Sequence, residues 1–414
     1  MRHTSGVEQM KGGRLFVGVG AGAIQLGLWA YYAFRRGATL VLAEVEPRKV
    51  AVIRRNRGRY AVNIAGKTGI RTVRVGPVRI LNPAVPGDRA LLVAALKEAG
   101  DVVTAVPSTR LYDAGVADLL REGLGRRHGG TVVYASENEI GAARLLESRV
   151  FPAGGGPRGV RFVDTVIERM GGPQEDRALR RRLKLAEVAP GMGHALLVEE
   201  FDEIVVEEPG KGFSRLFGGF HRTRDIRLFE ERKLYGHNAV HFMLGALGAQ
   251  RGYREMGEWA KDPDLERLGY GALREETGRW FRRKYGRTGE GTATPAGYEA
   301  WVRQLMRRIV NPHLHDAVAR VVRDPGRKLG WDDRIVGTMR RALGRGVEPW
   351  RYALGAVAAI GIASGKQGIS RPAALAWLGR RWGASVPAGE RNRLLEVIGK
   401  AMDGAGARVR RMPR

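Results

Sequence analysis

The sequence contains no cysteine in its 414 residues. This absence excludes a disulfide scaffold, a thiolate metal site and a thiol nucleophile. Acidic residues are also few relative to basic ones, with 43 Asp and Glu against 71 Lys and Arg, so the formal net charge is +28. The hydrophobic fraction of 43% is typical of a globular protein, and the length predicts two domains or three. Extensive disorder is therefore excluded.

Long blocks of positive charge are missing as well. Only 12 of the 71 cationic residues are lysines, and the arginines are scattered in runs of at most three. A nucleic-acid-binding protein usually concentrates its charge in a block or on one helix face. We therefore interpret most of the excess as arginine-rich composition on a solvated surface. Two alternatives remain: part of the charge attracts an anionic substrate or cofactor, or the protein binds nucleic acid or another polyanion.

Residues 15–34 form a charge-free stretch of 20 residues, which is the length that spans a bilayer. A strand-like start, glycines at four positions and the lack of a small-residue cleavage site argue against a membrane helix and against a secretory signal. The segment is instead predicted to be a buried strand, a glycine turn and a buried helix. The protein is expected to be soluble and cytoplasmic, without a membrane partner.

The first half of the chain alternates strand-like runs with helical stretches. The runs are residues 14–19, 38–45, 72–75, 78–81, 102–106, 131–135 and 161–164. This alternation predicts a mainly parallel sheet with helices on both faces. Residues 71–82, with Gly76 and Pro77 in the middle, are predicted to form a hairpin inserted in that sheet.

The second half shows helical spacing and no strand-like alternation after about residue 201. The segments are residues 227–248, 264–285, 295–309, 314–323, 331–343, 349–362, 371–382 and 388–402. The fold class is therefore predicted to be α/β. A Rossmann-type NAD-binding domain is expected over residues 1–200, and an all-α substrate and catalytic domain over residues 201–414.

A glycine-rich turn lies between the first predicted strand and helix. Such a turn lets the backbone approach a pyrophosphate, and the helix N-terminus offers free amides to it. Glu44 ends the next strand, where a carboxylate accepts hydrogen bonds from ribose hydroxyls and repels a 2′-phosphate. NAD is therefore favoured over NADP, although the nearby Arg48 and Lys49 weaken this preference. The alternative is a turn with a structural role alone.

A polar stripe occupies the first predicted helix of the second half. At about 100° per residue, Glu230, Lys233, His237 and His241 fall within an arc of roughly 80°, and Asn238 lies about 60° further round. A lysine beside a partly buried wall has a lowered pKa and can take the proton from an alcohol while hydride leaves. Asn amides can stabilise the alkoxide, and a His can orient the hydroxyl. The alternative is a solvated helix face with ordinary ion pairs.

Several separated motifs resemble the polyol-specific long-chain dehydrogenase family, over about residues 14–362. The turn from Gly20 to Gly27 is similar to the opening glycine motif of the family. Shorter matches are Val103-Thr104-Ala105-Val106, Glu137-Asn138, Phe162-Val163-Asp164 and Asn311-Pro312. The strongest match is Glu231-Arg232-Lys233-Leu234-x₃-Asn238-x₂-His241. Arg327-Lys328-Leu329, with Asp333-Arg334 beyond it, is more similar to the branches that act on phosphorylated polyols and on sugar acids.

The resemblance implies a role for each matching residue. Lys233 would be the general acid and base, Asn138 and Asn238 would surround the reacting oxygen, His241 would position the substrate, and Glu230 would help proton exchange with solvent. NAD would be held by Gly18, Gly20, Gly22, Ala23, Ile24, Glu44, Thr104, Ala105 and Val106. The family needs no metal. The anionic end of the substrate would meet Arg327, Lys328 and Arg334, whose alternative roles are helix capping and surface pairing, and Glu168 would be a further substrate contact.

The expected activity is the NAD-dependent interconversion of a polyol phosphate and its ketose phosphate, with mannitol 1-phosphate and fructose 6-phosphate as the expected pair. A sugar-acid dehydrogenase acting on altronate or mannonate is the alternative within the family. A relative that binds NAD without catalysis is a third possibility, since Gln25 and Glu168 depart from the family pattern. Residues 208–227 are longer and more basic than expected, which predicts either an altered substrate pocket or a variable loop. Monomer and dimer stay open.

Overall fold

The computed structural model describes residues 14–125, 130–201, 203–213, 216–365 and 369–410. The chain divides into two compact units, the first ending at Arg227 and the second beginning at Leu228. No helix among these described residues is long and apolar enough to cross a membrane.

The first unit contains two sheets. Its strands are β1 (Leu15–Val19), β2 (Thr39–Ala43), β3 (Tyr60–Ala65), β4 (Ile70–Val75), β5 (Val78–Leu81), β6 (Asp101–Thr104), β7 (Thr131–Ala135), β8 (Val160–Ile167), β9 (Gly171–Gln174), β10 (Ala195–Glu199), β11 (Ile204–Glu207) and β12 (His221–Thr223). The larger sheet has the order β12-β11-β8-β7-β6-β1-β2-β5, and its strands from β8 to β5 are all parallel. The smaller sheet has the order β4-β3-β10-β9.

Helices cover both faces of the larger sheet. They are α1 (Ala30–Arg35), α2 (Pro47–Arg55), α3 (Pro86–Glu98), α4 (Val116–Leu124) and α5 (Ala142–Val150), whereas α6 (Arg177–Arg182) lies between β9 and β10 along the chain. Successive residues of β1 point to opposite faces, so Phe16 packs in one core with Trp29 while Val17 packs in the other with Leu92. Burial on both faces is typical of a parallel sheet between two helical layers, which the alternation of strands and helices predicted.

The predicted hairpin over residues 71–82 is wrong. β4 runs antiparallel to β3 in the smaller sheet, whereas β5 runs parallel to β2 in the larger one. The turn between them crosses from one sheet to the other at Gly76, whose φ of +125° favours glycine. The exposed fractions show the physical difference, because β4 keeps most of its side chains at least partly exposed while Ile80 and Leu81 of β5 are buried.

The larger sheet also extends past the boundary expected near residue 200. β11 and β12 both follow residue 201, and they form the edge of the sheet beyond β8. The expected absence of strands there is wrong. Residues 208–227 contain β12 together with Phe217, which is buried and lies 4.8 Å from Trp29 between ring centroids. This part of the segment belongs to the core of the first unit, while residues 214 and 215 lie outside the described residues.

The second unit is helical, as predicted. Its helices are α7 (Ile226–Arg232, beginning at the end of the first unit), α8 (Asn238–Gln250), α9 (Pro263–Gly271), α10 (Gly278–Tyr285), α11 (Pro295–Ile309), α12 (Val318–Val321), α13 (Pro325–Lys328), α14 (Arg334–Leu343), α15 (Trp350–Ser364), α16 (Arg371–Trp382) and α17 (Ala388–Arg410). α8 and α15 pack closely at the centre, since a Cβ atom at Gly355 would lie 2.5 Å from Met243. This packing holds α8, and the polar stripe at its start, in place.

Candidate active site

The glycine turn follows β1 at the carboxyl end of the larger sheet. Gly20 has a φ of +87°, and a Cβ atom there would lie 2.7 Å from the carbonyl oxygen of Ala105, so only glycine fits without strain. Its backbone N–H donates to Ala43 at 2.9 Å, which links the turn to β2. A Cβ atom at Gly22 would meet nothing within 4 Å, because this residue faces open space.

A cavity of about 710 Å³ lies beside this turn, within the first unit. Seven of the nine residues predicted to hold NAD line it, and so does the predicted catalytic Asn138. The seven are Gly20, Gly22, Ala23, Ile24, Glu44, Ala105 and Val106, whereas Gly18 and Thr104 are not on its wall. These residues follow the ends of β1, β2, β6 and β7. In open α/β sheets this crevice is the usual binding place for a nucleotide, and the volume suits a small-molecule site.

Glu44 is buried at the end of β2, with 7% of its surface exposed. Its carboxylate accepts hydrogen bonds from the backbone N–H of Ala21 at 3.2 Å, from that of Glu46 at 3.0 Å and from Lys49 Nζ at 2.8 Å. Burial by itself raises the pKa of this carboxyl group, but these hydrogen bonds and the charge of Lys49 outweigh it and lower the pKa of Glu44. The structure therefore holds an ionised carboxylate on the cavity wall.

Thr104 lies behind the cavity rather than on its wall. Its hydroxyl donates to Glu137 at 3.0 Å, and Glu137 also accepts from the backbone N–H of Val106 at 3.0 Å and from Tyr112 at 2.5 Å. Burial raises the pKa of Glu137 despite these hydrogen bonds. Glu137 thus joins the ends of β6 and β7 and supports its neighbour Asn138. Glu137 was not among the predicted site residues, although its place beside Asn138 in the matching dipeptide was a signal.

Gly18 has a packing role in the structure. It lies within β1, and a Cβ atom there would collide with the side-chain amide of Gln25. Gln25 is completely buried, and neither polar atom of its amide has a hydrogen-bond partner among the described residues. The departure at Gln25 is therefore accommodated by the missing side chain of Gly18.

Glu168 follows β8 and is also not a lining residue of this cavity. Only 3% of its surface is exposed. The adjacent Arg169 donates to the carbonyl oxygen of Gly27 at 2.9 Å and to that of Glu199 at 2.7 Å. This segment therefore connects the helix after the glycine turn with β10 of the smaller sheet, and the substrate contact assigned to Glu168 stays a prediction.

The polar stripe of the second unit is interrupted by a π-helical turn over Lys233–His237, between α7 and α8. Such a turn holds one residue more than an α-helical turn, so it shifts all following side chains by about 100°. The even α-helical spacing assumed from the sequence is therefore wrong at this point. With the shift, Asn238 and His241 move onto the face of Lys233, and His237 leaves it.

The exposure of the side chains agrees with this corrected face. Lys233, Leu234, Asn238 and His241 are partly exposed, whereas the residues between them, including His237, are buried. Glu230 precedes Lys233 by three residues on α7, which makes the two helical neighbours, and only 9% of its surface is exposed. The structure thus brings together the lysine, the asparagine and the histidine that were predicted to be catalytic in this unit.

Two acidic residues that the site prediction omitted support this stripe. Asp316 Oδ2 lies 2.9 Å from His241 Nε2, and Asp316 is 5% exposed. Glu231, at 1% side-chain exposure, accepts hydrogen bonds from Lys284 Nζ and from the hydroxyl of Tyr285, each at 2.8 Å. Glu231 was recognised only as part of a motif, and nothing in the spacing of the sequence links Asp316 to His241.

The three predicted anion-binding cations differ in their surroundings. Arg327 is exposed and pairs with Asp324 at 3.1 Å and with Asp333 at 3.0 Å, and Arg334 also pairs with Asp333, at 2.9 Å. Lys328 is buried, and its Nζ donates to the carbonyl oxygen of Val321 at 2.6 Å. Burial, followed by the charges of Arg334 and Arg327, lowers the pKa of Lys328 to about 8.

Sequence relatives agree with the resemblance seen in the motifs. Residues 225–369 match the family model of the mannitol dehydrogenase C-terminal domain. A mannitol-1-phosphate 5-dehydrogenase of Exiguobacterium sibiricum is 31% identical over 82% of this chain and 84% of its own length. The chain belongs to the mannitol dehydrogenase family. A second mannitol-1-phosphate 5-dehydrogenase, from Bacillus velezensis, is also 31% identical, over 78% of this chain and 82% of its own length.

Solved structures show the same fold. A D-sorbitol dehydrogenase in substrate-free form superposes with a TM-score of 0.72 at 14% identity, over 95% of this chain and 94% of the other. The mannitol 2-dehydrogenase of Pseudomonas fluorescens, in a ternary complex with NAD and D-mannitol, superposes with a TM-score of 0.69 at 15% identity, over 96% of this chain and 93% of the other. Membership in the mannitol dehydrogenase family confirms the predicted family, fold class and enzyme class, a polyol dehydrogenase. The roles of individual residues stay predictions.

Proposed function

We propose that this member of the mannitol dehydrogenase family is an NAD-dependent oxidoreductase that interconverts mannitol 1-phosphate and fructose 6-phosphate. The observation that carries the proposal is the π-helical turn, which places Lys233, Asn238 and His241 on one partly exposed face. These are the residues of the strongest family motif. Both relatives cited above bear the name mannitol-1-phosphate 5-dehydrogenase, and this supports the choice of substrate.

The residues of the first unit fit NAD. Gly20 allows the backbone to turn tightly against Ala105, and the lack of a side chain at Gly22 leaves the space beside it open. The ionised carboxylate of Glu44 would accept hydrogen bonds from the ribose hydroxyls. The same negative charge would repel a 2′-phosphate, although Lys49 lies 2.8 Å from it. NAD supplies the acceptor for the hydride in the direction of alcohol oxidation.

The chemistry of the chain itself is proton transfer. The neutral amine of Lys233 takes the proton of the reacting hydroxyl group as hydride leaves its carbon, and the ammonium returns a proton in ketose reduction. The side-chain amides of Asn238 and Asn138 donate hydrogen bonds to the developing alkoxide. Glu230, three residues before Lys233, passes the proton between the lysine and solvent. His241 holds a substrate hydroxyl group. We assign Lys328, a buried cation, to the substrate anion, together with Arg327 and Arg334.

A substrate panel tests this function. Purified protein is assayed for NADH formation with mannitol 1-phosphate, mannitol, altronate and mannonate, and we expect turnover of mannitol 1-phosphate. Turnover of altronate or mannonate instead would favour the sugar-acid alternative. Absence of turnover with all four, in protein that is folded by circular dichroism, would contradict the proposed activity and favour a relative that binds NAD without catalysis.

The net charge of +28 keeps polyanion binding as a second candidate. A dedicated polyanion-binding protein is retained on heparin or DNA with a steep dependence on salt. We expect elution below physiological salt, because the arginines are dispersed. Retention well above it would support the second candidate.

A further inference from the structure

We propose that Asp316 is a positioning residue, which holds the ring of His241 so that Nδ1, and not Nε2, contacts the substrate. The inference rests on the proposed function, which gives His241 a place at the substrate. It adds a residue that lies 75 positions away in the sequence and that neither spacing nor motif connected with the site.

The two carboxylate oxygens of Asp316 have different partners. Oδ2 lies 2.9 Å from His241 Nε2, and Oδ1 accepts from Arg320 Nε at 2.9 Å. The side chain of Asp316 is 2% exposed and that of His241 is 12% exposed. Since a buried carboxylate is stable only when its lone pairs are used, each partner contributes to holding it ionised.

The backbone around Asp316 is held by residues outside α8. Its carbonyl oxygen accepts the backbone N–H of Met256 at 2.8 Å, and Val318 donates to the carbonyl oxygen of Arg254 at the same distance. Arg320 lies one helical turn after Asp316 and approaches the carboxylate from that side. The aspartate is therefore held by the 254–256 segment and by Arg320 as well as by its contact with the histidine.

This arrangement determines which ring nitrogen is left for the substrate, because Nε2 faces the carboxylate at 2.9 Å. An ionised carboxylate attracts a protonated nitrogen, so a neutral ring is expected to carry its proton on Nε2 and its lone pair on Nδ1. Burial raises the pKa of Asp316, but His241 and Arg320 outweigh it and lower the value to about 2, so the carboxyl group stays ionised. His241 then presents Nδ1 to a substrate hydroxyl group. It does not compete with Lys233 as the base for the reacting hydroxyl.

A double-mutant cycle separates positioning from a purely structural role. kcat/KM is measured for the wild type, Asp316→Asn, His241→Ala and the double variant, with the substrate of the panel that is turned over. We expect Asp316→Asn to lower kcat/KM by roughly 10- to 100-fold, as orienting carboxylates behind functional histidines do. In the His241→Ala background the same substitution should have almost no effect, because the residue acts through the ring.

The outcomes of the double-mutant cycle distinguish a failure of this inference from a failure of the proposed function. Equal losses in both backgrounds, or unchanged kcat/KM in Asp316→Asn, would overturn the inference while the proposed function stands. Wild-type kcat/KM in His241→Ala would overturn the role of His241 and this inference with it. Asp262→Asn is the matched control, because Asp262 pairs with Arg251 at 3.2 Å in the same unit and has 12% side-chain exposure. It should keep wild-type kcat/KM.

A measurement without activity covers the case in which Asp316→Asn does not fold. Two-bond ¹H–¹⁵N spectra of histidine-labelled wild type report the tautomer, with the His241 signals assigned by their loss in His241→Ala. For the neutral ring we expect a protonated Nε2 and an unprotonated Nδ1. The opposite tautomer would overturn the inference.

Discussion

The backbone N–H of Asn238 donates to the carbonyl oxygen of Lys233, five residues earlier. An α-helix would make this bond over four residues, so the helix contains one additional residue between the proposed base and the asparagine. That residue rotates Asn238 and His241 onto the face of Lys233. A helix without it would point Asn238 away from the lysine.

Lys233→Ala should abolish turnover while leaving NADH binding nearly intact. Loss of the proton-transfer group should lower kcat by about 10²- to 10⁴-fold, the usual contribution of general acid–base catalysis. Steady-state kinetics and a fluorescence titration with NADH measure the two effects. Lys400→Ala is the control, because Lys400 is exposed on α17 and pairs with Glu396. Substantial turnover in Lys233→Ala would contradict the assignment of the base.

Gly236→Ala should disturb the π-helical turn. The added Cβ atom would lie 2.7 Å from Trp301 Cη2, and overpacking of this kind costs about 1–3 kcal/mol of unfolding free energy. We expect a lower melting temperature and a lower kcat, since the turn positions Lys233. Trp301→Phe removes the colliding atoms, so the double variant should recover part of the melting temperature and part of kcat. An unchanged kcat in Gly236→Ala would show that the geometry of the turn is not needed.

Glu44→Ser should shift the cofactor preference toward NADP. The substitution removes charge-assisted hydrogen bonds worth about 1.5–3 kcal/mol, which corresponds to roughly 10- to 150-fold in kcat/KM for NAD. It also releases Lys49 to meet a 2′-phosphate. Kinetics with both cofactors measure the change. Glu46→Gln removes a neighbouring, more exposed carboxylate that also pairs with Lys49, at 3.4 Å, and it should keep the preference of the wild type.

Gly18→Ala should destabilise the first unit because of Gln25. The new methyl group would collide with the buried amide, at a cost of about 1–3 kcal/mol. Gln25→Ala removes the colliding group, so Gly18→Ala should cost much less in that background. Thermal unfolding of the four proteins measures the coupling. Equal costs of Gly18→Ala in both backgrounds would show that the two residues do not compensate each other.

Asp316→Asn should lower stability in a manner that depends on pH. The pKa of Asp316 is about 2 in the folded chain and about 3.9 in an unfolded one, so its contribution, about 2–3 kcal/mol, is complete above pH about 5. It is lost progressively as pH falls through about 4 and past the folded pKa of about 2. In urea unfolding, the difference between wild type and variant should therefore narrow below pH about 5. A constant difference from pH 7 to pH 3 would contradict the ionised aspartate.

Local features of the fold were predictable because they depend on neighbouring residues. The glycine turn and Glu44 lie within one strand–turn–helix–strand unit, so their order along the chain is sufficient to predict the crevice. The pairing of β4 and β5 was not predictable in this way. Both look like ordinary strands, and only their partners, β3 in one sheet and β2 in the other, distinguish them.

The sequence by itself determined the family and the fold class, and it predicted the roles of Lys233, Asn238 and His241, because these inferences depend on residue types at fixed spacings. Only the tertiary structure decided how those residues face one another. The π-helical turn between α7 and α8 is packed closely, with Gly236 against Trp301. Asp316 reaches His241 through packing between α8 and the segment before α12, a contact between residues that are distant in the sequence.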